Sequence, residues 1–128
     1  MADNDMTGIE RTAIEWLETM RAEDRWNLTM DEMCVLLAAS KDQYKTWLEL
    51  ASDEVDFELD EDTLMRASLL AGVHKALALT SPSGQEYAFF NRASKASPFD
   101  GRTAKELLLD EPSIEQLFLV RNYFGSRM

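Results

Sequence analysis

The stretch that decides the fold lies in the second half of the chain, where residues 64–78 are LMRASLLAGVHKALA. Its apolar residues recur three and four positions apart, a spacing that places them along a helix. No stretch of the sequence combines sustained alternation of apolar and polar residues with the β-branched enrichment of a strand. The sequence therefore predicts an all-α protein, whose longest and most apolar helix begins after Asp60 or Asp62 and ends near Thr80.

Helix-start signals recur on both sides of this helix. A Ser or Thr followed three residues later by Glu or Gln can satisfy two backbone amides at a helix start. Such pairs are Thr7/Glu10, Thr29/Glu32, Ser40/Gln43, Ser83/Glu86, Thr103/Glu106 and Ser113/Gln116. About seven short helices are predicted, the other six covering roughly residues 9–22, 30–38, 41–51, 85–93, 104–110 and 114–124. We expect Ile9, Ala13, Leu17 and Met20 to form the buried stripe of the first helix. We expect Gly125 to end the last helix in the left-handed conformation.

Charge divides the chain into two parts. Residues 1–62 carry 18 acidic and 5 basic side chains, a net charge of −13, whereas residues 63–128 carry 6 and 8, a net charge of +2. This predicts an acidic helical region over residues 1–61 and a compact helical domain over residues 62–128. The acidic region would repel nucleic acid and anionic membranes.

The acidic stretch between the two parts has seven acids in the ten residues Asp53 to Asp62. It lacks the order of ligands of a calcium-binding loop, so a solvated charge run is the favoured interpretation. The segment Val55 to Leu59 alternates apolar and acidic residues, and its charge favours an extended linker over a strand.

Catalytic and metal-binding patterns are scarce. The chain has one histidine, His74, which we interpret as a packed or interfacial side chain, and no serine lies in a nucleophile-elbow motif. Glycine is too sparse for a phosphate-binding loop. We therefore expect a protein that is not an enzyme and that has no cofactor or metal of its own.

Cellular location follows from three features. Cys34 is the single cysteine, which excludes an internal disulfide and fits a reducing compartment. It lies in an apolar run and is expected to be a small buried residue. No apolar run approaches the ~20 residues needed to cross a bilayer, and the polar N-terminus lacks the pattern of a secretory signal. The expectation is a cytoplasmic protein with no membrane contact.

Residues 28–48 have the length and pattern of a helix-turn-helix, with a tight turn at residues 38–40. The side chains expected to face inward are Leu28, Met33, Leu36, Leu37, Tyr44 and Trp47. Those expected to face outward are Lys41, Asp42, Gln43, Lys45 and Thr46, and the candidate DNA contacts are Lys41, Gln43, Lys45 and Thr46. Phosphate contacts supply most DNA affinity, and this region has few cations. A structural helical hairpin that does not bind DNA is the alternative.

Several blocks of residues, in order, resemble the Xre/MbcA/ParS class of antitoxins over about 100 of the 128 residues. The blocks are Trp26-Asn27-Leu28-Thr29, Leu36 to Ser40 with Tyr44 and Trp47, Arg66 to Leu77, Asn91-Arg92, Ser97 to Ala104 and Gln116 to Phe124. Gly101 permits a tight turn, Phe99 anchors it and Thr103 caps the next helix. The chain departs from the family pattern at Ala38, where glycine is expected, and at Asp42 and Thr46, where many relatives are more basic.

The resemblance implies a type II toxin–antitoxin role. The partner would be a RES-domain toxin that consumes NAD or uses it to modify a target, so any NAD chemistry would belong to the toxin. The antitoxin would often also repress its own operon as a homo-oligomer. Two other functions stay open: a DNA-binding transcriptional regulator, and a stand-alone protein-binding domain of the same family.

Candidate toxin-binding residues come from the C-terminal half, because arginine and aromatic side chains dominate interface energetics. They are Arg102, Lys105, Arg121, Tyr123, Phe124 and Arg127. Arg121 is expected to bind a carboxylate or another anion, with a solvated side chain as the alternative. For Tyr123 and Phe124 the alternative is that they close the core where the last helix docks.

Overall fold

The computed structural model describes residues 8–126, so Thr7 with its predicted cap and Arg127 lie outside the described range. Its helices are α1 (Ile9–Met20), α2 (Met30–Leu37), α3 (Lys41–Ser52), α4 (Glu61–Thr80), α5 (Glu86–Phe90), α6 (Ala104–Asp110) and α7 (Ile114–Gly125). The β-structure within residues 8–126 is one isolated bridge, between Ser94 and Arg102. The all-α prediction is confirmed. No helix in this range is long and apolar enough to cross a membrane.

Most of the predicted helix starts are present. Thr29, Ser40 and Thr103 each form a reciprocal capping box with the Glu or Gln three residues later. Ser113 accepts from the Gln116 amide, and Asp60 caps α4 by accepting from the Thr63 amide at 2.8 Å. The residues with the strongest local signals therefore begin α2, α3, α4, α6 and α7 as expected.

The predicted cap at Ser83 was wrong. The Gln85 amide donates to the Pro82 carbonyl at 2.9 Å, so Ser83 lies inside a turn that Gly84 completes with φ +84°. Helix α5 begins only after Gln85, without a side-chain cap, and spans five residues. The turn uses the residues that would otherwise have begun a longer helix.

The expected left-handed cap at Gly125 was also wrong. Gly125 is the last residue of α7, and Ser126 continues in a right-handed conformation. A Cβ added at Gly125 would lie 3.9 Å from the Ala76 Cβ of α4. Gly125 therefore allows α7 to pack closely against α4, and it does not form a turn that ends the helix.

Helix α4 is central, and α7 packs along it in a parallel direction. The Arg66 guanidinium donates to the carbonyl of Pro112, just before α7. Further along both helices, Gly72 lies beside Arg121 and Ala76 lies beside Gly125. Because these contacts advance together along the two helices, α4 and α7 run side by side in the same sense.

The core is continuous across the predicted boundary at residues 61 and 62. Trp26 and Leu37 from one side belong to the same buried cluster as Leu70, Phe90 and Leu117 from the other. The Thr63 hydroxyl also donates to the Leu37 carbonyl at 3.4 Å. Each part therefore buries its apolar residues partly against the other. The division into two domains stays a prediction.

The buried stripe of α1 differs from the prediction. Leu17 and Met20 are buried, but the third member is Ile14, and Ile9 is 45% exposed. Helix α1 contacts α3 as well as α4, and its inward face is rotated toward both. This rotation leaves Ile9 and part of Trp16 beside α4 at the surface.

The turn between α2 and α3 has the sharp geometry of a helix C-cap. Ala38 adopts φ 55° and ψ 43°, and the Ala39 amide donates to the Cys34 carbonyl at 3.0 Å. These are the features of a Schellman motif, in which glycine is the usual left-handed residue. The interpretation of α2 and α3 as a helix-turn-helix stays a prediction.

The side chains of this helix pair face as predicted. Of the six expected inward residues, Trp47 is half-buried against the core and the other five are buried. All five expected outward residues of α3 are exposed.

The acidic linker begins with a turn at residues 53–54. The following segment, Val55 to Leu59, has no regular secondary structure, as predicted, and part of it packs on the protein. Phe57 stacks on Trp47 with ring centroids 6.5 Å apart, and Leu59 is buried. Asp56 pairs with Arg11 at 3.6 Å. Phe57 and Leu59 therefore face the protein, whereas Val55 is 46% exposed and the acids between them face solvent.

Candidate protein-docking surface

The outer side of α4 lies between α1 and α7 and is unusually apolar. Leu64 and Leu79 are 36% and 65% exposed, and Ile9 of α1 and Phe118 of α7 are 45% and 46% exposed. Single exposed apolar side chains are ordinary, but a contiguous group marks an interaction site. We call this surface, made of two grooves that flank α4, the docking face.

The first groove lies between α1 and α4 and has a volume of about 350 Å³. Its walls are small or apolar, and they are Ile9, Thr12, Ala13, Trp16, Leu64, Ala67, Ser68 and Ala71. The α1 residues recur at helical spacing, so an apolar ridge of a partner helix would fit along the groove.

The second groove lies between α4 and α7 and has a volume of about 580 Å³. It combines small or apolar, uncharged polar and basic residues, which are Gly72, Lys75, Ala76, Leu79, Arg121, Asn122, Gly125 and Ser126. This groove is the part of the docking face that carries positive charge.

Arg121 crosses this groove in a defined conformation. Its guanidinium lies over the Phe118 ring, with the central carbon 4.9 Å from the ring centroid. It also donates to the Asn122 side-chain oxygen at 3.2 Å. Its aliphatic stem passes over Gly72, where an added Cβ would lie 2.6 Å from the Arg121 Cδ.

Two of the predicted toxin-binding residues have intramolecular partners. Arg102 pairs with Asp110 at 3.0 Å and donates to the Phe99 carbonyl. Lys105 donates to the Asn27 carbonyl at 2.7 Å and lies 3.7 Å from Glu32. Both cations connect elements within the protein, and neither lines the docking face.

Of the other four, Arg121 lies in the docking face, whereas Tyr123 and Phe124 lie elsewhere. Phe124 is 4% exposed and packs against Phe99, so it belongs to the core. Tyr123 is half-buried over Phe99 and lines a small cavity of about 170 Å³ on another side of α7. Arg127 lies outside the described residues.

The candidate DNA contacts lie on the exposed side of α3. Lys41 pairs with Asp31 at 3.2 Å, and the Gln43 side chain accepts from the Ser40 amide at the helix cap. Lys45 and Thr46 are exposed. Two of the four candidates thus already have partners inside the protein.

His74 lies in an aromatic cluster, and its Nδ1 has no hydrogen-bond partner among the described residues. Its ring contacts Trp16 edge-on at 5.6 Å and stacks on Tyr87 at 5.7 Å. Burial lowers the pKa of the imidazole. Between residues 8 and 126, no group of three or more potential ligands could hold a metal ion.

Sequence reasoning found Arg121 but missed the surface around it. Leu64 and Ala71 belong to the helical apolar pattern of residues 64–78, and both are exposed. The available signal was the excess of apolar residues on α4, which continues around more of the helix than one buried face requires.

No known protein family matches the chain, and no curated protein or solved structure shows significant similarity to it.

Proposed function

We propose that this protein is an antitoxin of a type II toxin–antitoxin module, which binds and neutralises a RES-domain toxin through the docking face. The observation that carries the proposal is the exposed apolar surface of α1, α4 and α7. The resemblance of the sequence to Xre/MbcA/ParS antitoxins supports the identity of the partner. The blocks that carry the resemblance include most of α4 and α7, the two helices of the basic groove.

The direct test is co-expression with a RES-domain toxin, taken from the neighbouring reading frame if that frame encodes one. We expect the two chains to purify as a complex and the antitoxin to restore growth, because docking holds the toxin inactive. A toxin that stops growth equally with and without this protein would contradict the proposal.

The docking face is tested by Leu79→Glu, with Val35→Glu as the matched control. Both residues are exposed apolar side chains in the last turn of a helix, but Val35 lies on α2, away from the docking face. A charge buried against an apolar partner surface is costly. We expect Leu79→Glu to raise the toxin dissociation constant at least about tenfold and Val35→Glu to change it less than about twofold.

The measurement is titration calorimetry of the purified chains, with circular dichroism to show that both variants are folded. Equal affinity of the two variants for the toxin would contradict docking at this face and leave the antitoxin function in place.

A further inference from the structure

The basic groove between α4 and α7 indicates which chemistry a partner brings to the docking face. Its two cations, Lys75 and Arg121, have no carboxylate within ion-pair distance in the described part of the chain. The full chain has 24 acidic and 13 basic side chains. Other described cations, such as Arg92 and Lys95, also have no ion pair, so what distinguishes Lys75 and Arg121 is that both line the same groove.

Arg121 is also held in place before any partner binds. The Phe118 ring and the Asn122 amide contact its guanidinium, and Gly72 leaves room for its stem. A guanidinium that lies over a ring directs its N–H groups outward, and those not bonded to Asn122 can donate two parallel hydrogen bonds to a carboxylate. Because the side chain is already ordered, less rotamer entropy is lost on binding.

Apolar side chains line the same groove as this guanidinium. Leu79 is 65% exposed, and Ala76 lines the floor of the groove. A ligand that matches both features carries an aliphatic group beside a carboxylate.

We infer that Arg121 is a preformed receptor for a carboxylate of the partner protein, presented beside an aliphatic side chain that packs on Leu79. The inference rests on the proposed function for the identity of the partner. Lys75 adds positive charge without a fixed geometry, and Gly72 is a positioning residue because its missing side chain lets Arg121 lie across α4.

The first experiment needs no toxin and uses 4-methylpentanoate as the probe, with 4-methylpentanamide as its uncharged counterpart. In NMR titrations we expect the carboxylate to shift the Arg121 Nε–H and Leu79 methyl signals saturably at millimolar concentration. The amide should leave them unchanged. Arg92 is an internal control, because its guanidinium lies over the Phe89 ring at 4.4 Å outside this groove.

Two glycine variants test the positioning. Gly72→Ala is expected to abolish the shifts, because the new Cβ would displace the Arg121 stem. Gly125 lines the same groove, but a methyl group added there would lie at an ordinary contact distance from Ala76. The Gly125→Ala protein should therefore show the same NMR shifts as the wild-type protein. Absent shifts in the wild-type protein, or equal shifts with the amide, would overturn the inference.

The second experiment uses the toxin. We expect Arg121→Gln to raise the dissociation constant at least about tenfold at low salt and less at high salt, and Arg92→Gln to leave it unchanged. Unchanged binding by Arg121→Gln would overturn the inference while the proposed function stands. A toxin that does not bind the wild-type protein would contradict the proposed function, and the probe experiment would still decide the carboxylate site.

Other occupants of the groove give distinct results. A dimer in sedimentation that dissociates in Arg121→Gln would assign the carboxylate to a second copy of this chain. A shift of the Arg121 signal on removal of residues 127–128 would assign it to the chain's own terminus. Either result overturns the inference.

Discussion

At the scale of single residues, Ala38 occupies a conformation that an L-residue with a Cβ adopts only at a cost. The left-handed conformation costs a residue other than glycine roughly 1–2 kcal/mol. Replacing it with glycine removes this cost but adds conformational entropy to the unfolded state, which offsets part of the gain in stability. We expect Ala38→Gly to raise the free energy of unfolding by about 0.5–1 kcal/mol, measured by urea denaturation.

Ala39→Gly is the control for this prediction, because Ala39 follows the left-handed position and does not have a positive φ. We expect Ala39→Gly to lower the free energy of unfolding by up to about 1 kcal/mol, because glycine loses more backbone entropy on folding. A lower free energy of unfolding for Ala38→Gly would contradict the conformational cost assigned to Ala38.

This residue also marks what sequence can and cannot predict locally. The capping pairs at Thr29, Ser40 and Thr103 were predictable because each interaction closes within three residues. The turn at Ala38 was predicted in position, and the family resemblance expects glycine there, but the alanine itself gives no local signal of a left-handed conformation. The predicted cap at Ser83 was wrong because residues 82–85 form a turn, in which Gly84 adopts a positive φ.

At the scale of elements, α1 and α3 are joined by a buried hydroxyl. The Tyr44 hydroxyl donates to the Glu18 carboxylate at 2.9 Å, and Arg21 holds that carboxylate with two hydrogen bonds. The hydrogen bonds from Arg21 and then from Tyr44 lower the pKa of Glu18. Burial, followed by the bond to Glu18, raises the pKa of Tyr44.

A carboxyl with a lowered pKa stabilises the fold at pH values above its unfolded pKa, and this contribution is lost as pH falls through the folded value. We therefore expect Tyr44→Phe to cost about 1 kcal/mol of unfolding free energy at neutral pH. The cost should shrink once Glu18 is protonated, below its ordinary pKa of 4.5. Urea denaturation at neutral and acidic pH measures both values.

Tyr123→Phe is the matched control, because the Tyr123 ring packs on Phe99 and its hydroxyl has no hydrogen-bond partner in the described range. It should change stability by less than about 0.5 kcal/mol at either pH. A cost for Tyr44→Phe that does not depend on pH would contradict the role assigned to Glu18.

The pairing of these helices was beyond sequence reasoning. Helical periodicity predicted that Tyr44 faces inward, but Glu18 lies 26 positions away and gives no local signal of contact. The same limit explains the docking face, since Gly72 and Arg121 meet only because α4 and α7 are parallel. Periodicity predicts which residues a helix can bury, and it does not identify the neighbour that leaves some of them exposed.

At the scale of the whole molecule, charge argues against tight DNA binding. The net charge is −11, and residues 1–62 carry −13. We expect the free protein to bind duplex DNA weakly, with a dissociation constant above about 1 µM, and to lose this binding steeply as salt rises. Fluorescence anisotropy at several salt concentrations measures both properties. A tight, sequence-specific complex at physiological salt would instead favour a transcriptional regulator.

The burial of Cys34 has a practical consequence. Its side chain is 5% exposed, its sulfur lies 3.8 Å from the Ser40 carbonyl, and burial raises the pKa of the thiol. A thiol reagent can reach it only when α2 and α3 separate. Because the chain has one cysteine, the labelling rate of the unmodified protein reports the frequency of that opening. Mass spectrometry could follow this breathing motion in the native state without an introduced dye or mutation.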